Sequence, residues 1–215
     1  MSMAVENMAG RVRYPGDEAR HPWLARLLDA YHAADAVLRG ALERETARRG
    51  GGLACGPGCC NCCMDQQLPV SEFEVQGIWW YVSEVLEGGL RAELLRRLLG
   101  HGPVGECAFL LAGRCAVYPV RPFVCRQYHV FRRPCGPGEN VYETRSRDAF
   151  RPAVDSPRDL IWQIIPLYGV AEENVDWLAE SGYVSRKGKH PHTLALDTIV
   201  MHLKTAAPRR KARHA

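Results

Sequence analysis

The stretch Cys55-Gly-Pro-Gly-Cys59-Cys60-Asn-Cys62-Cys63 places five cysteines within nine residues. Its glycines and proline bar any regular helix or strand. A run of this kind is a set of tight turns that aims several thiols, and the N–H groups that support them, at one point. Outward from it the chain holds four more cysteines, Cys107, Cys115, Cys125 and Cys135, and none lies in the first 54 residues or the last 80. Nine is odd, so complete pairing into disulfides within one chain is excluded. The N-terminal stretch MSMAVENMAGRVR lacks the apolar core of a secretory signal, which points to the cytoplasm, where thiols stay reduced. Clustered reduced thiols read first as metal ligands.

Neighbouring side chains of an extended chain point to opposite sides, so Cys59-Cys60 and Cys62-Cys63 are not expected all to face one ion. One member of each pair stands aside, or two ions are served, or thiolates bridge a cluster. Eight or more thiolates also exceed what a single four-coordinate metal uses. The tetrapeptide Cys-Gly-Pro-Gly occurs twice, at 55–58 and 135–138, and is either one sharp turn used at both ends of a site or a coincidence of composition. Between Cys107 and Cys135 stand five arginines and no acidic residue. Arg121 and Arg126 flank Cys125, and guanidinium groups there would offset the negative charge of a thiolate-bound metal.

The surroundings read as helix. Pro22 opens a pattern in which Leu24, Leu27, Leu28, Tyr31, Leu38 and Leu42 recur at helical spacing until Gly50-Gly51-Gly52 stops it. Ser71 and Glu74 form a capping box ahead of Phe73, Ile78, Tyr81, Val82, Val85 and Leu86. Leu90, Leu94, Leu95, Leu98 and Leu99 mark a further helix after Gly88-Gly89. Phe109-Leu110-Leu111 and Cys115-Ala116-Val117-Tyr118 flank Ala-Gly-Arg as a short hairpin. Further helices are expected from Ser156 through Leu160, Ile161, Ile164 and Ile165, from Glu172 to Ser181, and around Leu196, Ile199, Val200 and Leu203. The expectation is a mainly α, single helical domain over 21–205, with a metal-binding core at 53–138. Two irregular Cys-rich segments and a β-hairpin interrupt it, between a flexible N-terminus, 1–20, and a basic disordered tail, 206–215.

The chain of 215 residues is 47% apolar and 24% charged, ordinary for a globular protein. Its longest apolar run, Cys107 to Ala112, is far short of the roughly 20 residues of a membrane helix. The net charge of +4 comes from the tail, where Lys204, Arg209, Arg210, Lys211 and Arg213 leave −1 for the remainder. That argues against a dedicated nucleic-acid-binding domain. His129, four residues after Cys125, would share a helical face with it in a mixed Cys/His site, or be an ordinary satisfied histidine. His190 and His192 read as a solvated pair, and His101 as a loop residue. Asp65 and Gln66 are either supports for the ligands or loop polarity.

The run Cys55, Cys59, Cys62, Cys63, followed by Cys107-Ala-Phe-Leu-Leu and by Cys115-Ala-Val-Tyr-Pro-Val-Arg-Pro-Phe-Val-Cys125-Arg126, resembles the YkgJ-type cysteine-cluster family. The likeness covers roughly 53–135. It implies chelation of zinc or iron, with Tyr118 and Arg121 in the family signature. The chain departs from the pattern in its wider first gap and in its additional Cys60. The metal set is then Cys55, Cys59, Cys62, Cys63, Cys107, Cys115, Cys125 and Cys135, with Tyr118, Arg121 and Arg126 beside the bound group. The expected cofactor is iron, in an iron–sulfur cluster or as a non-haem ion, or zinc. The expected partners are metal ions and an anionic small molecule or protein, with no membrane and no specific nucleic acid. The flagellin lysine N-methylases look similar in carrying such a cluster, so an iron-dependent oxidoreductase or modifying enzyme stands beside two readings without catalysis: a zinc-stabilised interaction module, and metal storage or delivery.

Overall fold

A computed structural model describes residues 10–56, 58–64, 70–100, 105–150, 171–174 and 177–178. The longest helix, α2 (Pro22–Arg48), follows a short α1 (Pro15–Arg20). Leu24, Leu27, Leu28, Tyr31, Ala34, Leu38 and Leu42 form its buried stripe, as the periodicity predicts. It ends where Gly50 takes φ +73°, with the Gly51 N–H donating to the Thr46 carbonyl and the Gly50 N–H to that of Ala47. This is the glycine-dependent stop in which a left-handed residue lets the chain satisfy the last carbonyls.

Part of the N-terminal segment takes up regular structure. Six of residues 10–20 form α1, and Arg11 ties them to α2 by donating to Glu18, Asp29 and the Ala25 carbonyl. The Tyr14 ring lies edge-on to Trp80, 4.8 Å away.

Helix α3 (Glu72–Trp80) starts at the predicted capping box and runs into one π-helical turn, Tyr81–Val85, closed by the Leu86 N–H on the Tyr81 carbonyl. Gly77 lets α3 approach α2 closely, because a Cβ there would overlap Leu27. Helix α4 (Gly88–Leu99) buries Leu94 and Leu98 and exposes Leu90 and Leu99. The hairpin pairs β1 (Leu110–Leu111) with β2 (Arg114–Cys115) through a two-residue turn, Ala112 at φ 46° and Gly113 at φ 73°. Positive φ at both positions gives the turn whose twist suits a tight hairpin. Arg114, expected in the loop, is therefore in the strand. A 3-10 turn (Tyr118–Val120) and the short helices α5 (Phe123–Gln127) and α6 (Val141–Thr144) complete the core region.

The described fold is mainly helical with one two-stranded antiparallel sheet. Three single-residue-scale pairings add to it: Leu53 bridges Phe131, Val130 bridges Ala149, and the Ala54 N–H donates to the Val130 carbonyl. The segment 129–131 is thus the middle of a three-chain ladder. Most of the core packs around α2, α3 and α5. A smaller apolar cluster of Tyr128, Val130, Cys135, Val141 and Ala149 lies against Cys55 and Cys62. The helices expected at 156–165 and 196–203 and the tail 206–215 lie outside the described residues, as do Asp65, Gln66, His101, His190 and His192. Of the segment 172–181, Glu172–Asn174 is a 3-10 turn and Trp177 is exposed.

Candidate metal centre

The first cysteine segment hangs from the ladder. Cys55 follows the paired residues Leu53 and Ala54, and its Sγ accepts the Val130 N–H at 3.2 Å. The chain then reverses, with the Cys59 N–H on the Gly56 carbonyl and Gly58 at φ +79°. Cys62 and Cys63 sit in a 3-10 turn, Asn61–Cys63. The second segment repeats the device: the Glu139 N–H donates to the Gly136 carbonyl and Gly138 is at φ +70°. The two Cys-Gly-Pro-Gly copies therefore make the same kind of reverse turn, and Asn61 locks them together. Its side-chain amide donates to the Cys135 carbonyl, and its own carbonyl accepts the Gly138 N–H at 3.1 Å. The loop around Cys135 is held from behind by Arg145, which donates to the carbonyls of Arg133 and Pro134 and to the carboxylates of Glu139 and Asp148.

The two segments meet directly. The Cys107 N–H donates to the Cys63 carbonyl at 2.7 Å. Cys115 closes the hairpin and Cys125 rides on α5. The Cys62 and Cys63 thiols lie close enough to hydrogen-bond, so this adjacent pair does not point to opposite sides. The geometry of a 3-10 turn, rather than an extended chain, is the reason.

Cys62 is the electrostatic hub. The hydrogen bond from Cys63 is the main influence that draws its thiol down, against the opposing effect of burial, with help from the Arg121 guanidinium. Charge on Cys62 in turn raises the thiols of Cys55, Cys63, Cys107, Cys115, Cys125 and Cys135. Cys59 and Cys135 raise Cys55, and Cys107 raises Cys63, Cys115 and Cys125. Burial is the largest cause that lifts Cys55 to about 12 and Cys115 to about 11, and it also raises Cys107, Cys125 and Cys135. Without a metal, most of these thiols stay neutral. Cys59 is exposed and Cys60 half-buried.

The two arginines divide. Arg121 stacks its guanidinium 4.0 Å above the Tyr118 ring and lowers the thiols of both Cys62 and Cys115. Tyr118, exposed on its outer side, is the platform for that cation. Arg126 corrects the expectation of a second compensating charge. It is buried, pairs with Asp35 at 2.6 Å, donates to the Pro119 and Arg121 carbonyls, and lies 4.1 Å over the Tyr31 ring. Its place on α5 turns it toward α2. His129 does not share a helical face with Cys125, because α5 ends at Gln127 and Tyr128 is extended. Burial depresses its imidazole to about 4, and its Nδ1 has no hydrogen-bond partner.

Glu74, legible in the sequence as half of a capping box, has a second role that the sequence does not reveal. The buried Glu74 carboxylate accepts the Ser71 N–H at 2.8 Å on one oxygen and the Phe123 N–H at 2.6 Å on the other. It therefore caps its own helix and also α5, the helix that carries Cys125 and has no capping side chain of its own.

The donors suit a thiophilic metal: soft sulfur ligands, an N–H aimed at Cys55, and a guanidinium beside Cys62. Among the described residues, no group of three or more His, Cys, Asp and Glu side chains is placed so that it could hold a metal ion. The backbones of the two segments meet at Cys63 and Cys107, while their thiols do not converge on one point.

Residues 54–148 match the CxxCxxCC family. Its description reads "Putative zinc- or iron-chelating domain". The CxxCxxCC match begins one residue before Cys55, ends at Asp148 and contains all nine cysteines. It is the cysteine-cluster family that the sequence resembles, and it supports metal binding as the class of function. It also takes in the Arg145–Asp148 support behind Cys135, beyond the stretch that the sequence motifs mark. No curated protein and no solved structure matches the chain. Among the described residues no helix is long and apolar enough to cross a membrane.

Proposed function

We propose that this chain is a cytoplasmic iron-binding protein whose thiolates hold an iron–sulfur cluster or non-haem iron. The ligands are drawn from Cys55, Cys59, Cys62, Cys63, Cys107, Cys115, Cys125 and Cys135. The observation that supports it is that both cysteine segments are tied together, by the Cys107 N–H on the Cys63 carbonyl and by Asn61 on the Cys135 carbonyl, in a chain that supplies more thiols than one four-coordinate ion uses. That number suits a cluster or a pair of ions. When bound, the metal would supply electron transfer or a Lewis-acid centre. The chain's own part is to position the donors through the two glycine turns, Asn61 and Glu74, and to balance charge with Arg121. Binding displaces the thiol protons that burial retains, so uptake is coupled to proton release and to closure of the loops.

Zinc is the competing reading, favoured by the irregularity of both segments, which a closed thiolate site would fold. Purification without oxygen, followed by elemental analysis and an absorption spectrum, separates the two. Iron with a band near roughly 400 nm supports the proposal. A colourless protein with stoichiometric zinc overturns it.

A further inference from the structure

On the far side of the ladder from the Cys62 turn lies an open groove of about 690 Å³, lined by Glu45, Arg48, Arg49, Gly51, Arg132, Ser146, Arg147 and Ala149. Four guanidinium groups converge on it from three separate parts of the chain. Glu45 is the one acid among the lining residues, and Arg48 and Arg49 both hold it, so that its carboxyl falls to about 2. Arg49 is fixed further, by donating to the Arg147 carbonyl and by lying 4.4 Å over the Phe131 ring. Arg132 is 75% exposed and reaches Asp148 only at 3.4 Å, an oxygen pair that Arg145 also occupies. Arg147 is exposed and makes no ion pair among the described residues. Asp148 and Glu139 balance Arg132 and Arg145, and Glu45 balances one of Arg48 and Arg49. Two positive charges are left over, one of them on Arg147.

We propose that this groove binds a small phosphate-bearing ligand of nucleotide size. A phosphate monoester carries close to two negative charges near neutrality, which matches the surplus. Planar guanidinium groups present paired N–H donors that fit phosphate oxygens two at a time. The volume lies within the range of small-molecule sites, roughly 300–1,000 Å³. Gly51, at φ +102° with open space where a Cβ would stand, leaves the floor of the groove bare beside those donors. The site is distinct from the cysteine cluster, since no cysteine lines it.

The test is calorimetric titration of the full chain with inorganic pyrophosphate, ATP and adenosine, in low and moderate salt. The expected result is saturable binding of pyrophosphate and ATP, weakened by salt, with no binding of adenosine. Arg147→Glu and Arg132→Gln, both at exposed side chains, should each weaken it at least about tenfold, the loss of one charge-assisted contact. Thermal melts check that both variants stay folded. No saturation by either phosphate compound in the millimolar range overturns the proposal, and so does binding that both variants leave unchanged. Tighter binding of a short single-stranded oligonucleotide than of ATP overturns it in favour of a polyanion surface. None of these failures bears on metal binding.

Discussion

Replacing Glu74 by Gln isolates one carboxylate that serves two helix starts. Glu74 takes the Ser71 N–H at 2.8 Å and the Phe123 N–H at 2.6 Å, one on each oxygen. Glutamine keeps one acceptor of nearly the same shape, while its NH2 meets the other N–H donor to donor. One buried N–H is then orphaned, at about 1–3 kcal/mol, and the surviving bond loses its charge assistance. Removal of a buried charge returns part of that, since burial is the main cause that raises the Glu74 carboxyl. A net loss of about 2 kcal/mol follows, or about 4–8 °C in melting temperature for a chain of this size. Urea and thermal melts of Glu74→Gln beside Ser71→Ala measure it. The second variant removes the Ser71 hydroxyl, which accepts the Glu74 N–H at 3.4 Å and also hydrogen-bonds the Glu74 carboxyl, and should cost about 1 kcal/mol. Because the folded carboxyl titrates above its unfolded value, the folded state binds the extra proton in that window. Wild-type stability therefore falls as pH rises through it, and Glu74→Gln flattens this slope. Fraying of α5 should also speed alkylation of Cys125 relative to exposed Cys59. A Glu74→Gln protein as stable as Ser71→Ala, with Cys125 labelled at the wild-type rate, would refute the double cap.

The other outcomes are as concrete. Arg126→Met strands Asp35 against the core and should destabilise by about 3–5 kcal/mol, while metal content per folded molecule stays at the wild-type level; loss of metal from folded Arg126→Met would return Arg126 to the site. His129, held neutral with its imidazole at about 4 against an ordinary 6.5, should make the metal-free protein lose roughly 3 kcal/mol as pH falls from the upper value to the lower; this dependence should vanish in His129→Leu, and its persistence there would assign it elsewhere. Cys62→Ser and Cys125→Ser should each lower metal content on elemental analysis and loosen the 55–135 region to proteolysis, and full metal in both would contradict the ligand assignment. Deletion of 206–215 should leave metal content unchanged, since the basic tail carries no cysteine; a fall would implicate it.

Long periodic features were legible in the sequence, and sparse ones were not. The stripe from Leu24 to Leu42 and the Ser71–Glu74 box read directly, because each is a local pattern with one physical solution. So did the hairpin around Ala112-Gly113. The ladder of 52–54, 129–131 and 148–150 was invisible, since each chain gives only one to three residues and no alternation can build up. The segment 10–20 is tied down by isolated anchors, Arg11 and Tyr14, which leave no periodic trace. Arg126 was misread because proximity in sequence to Cys125 says nothing about which side of a short helix a side chain leaves. The extended-chain argument about adjacent cysteines failed at Cys62-Cys63 for a similar reason, because the local backbone is a 3-10 turn.

Metal binding of this kind requires thiolates, remote from one another in the chain, to close on the bound ion. X-ray absorption at the metal edge of the anaerobically purified protein tests that most directly. The expected spectrum is a first shell dominated by sulfur, at about 2.3 Å for either metal. A first shell of oxygen and nitrogen alone, in protein carrying stoichiometric metal, would contradict it.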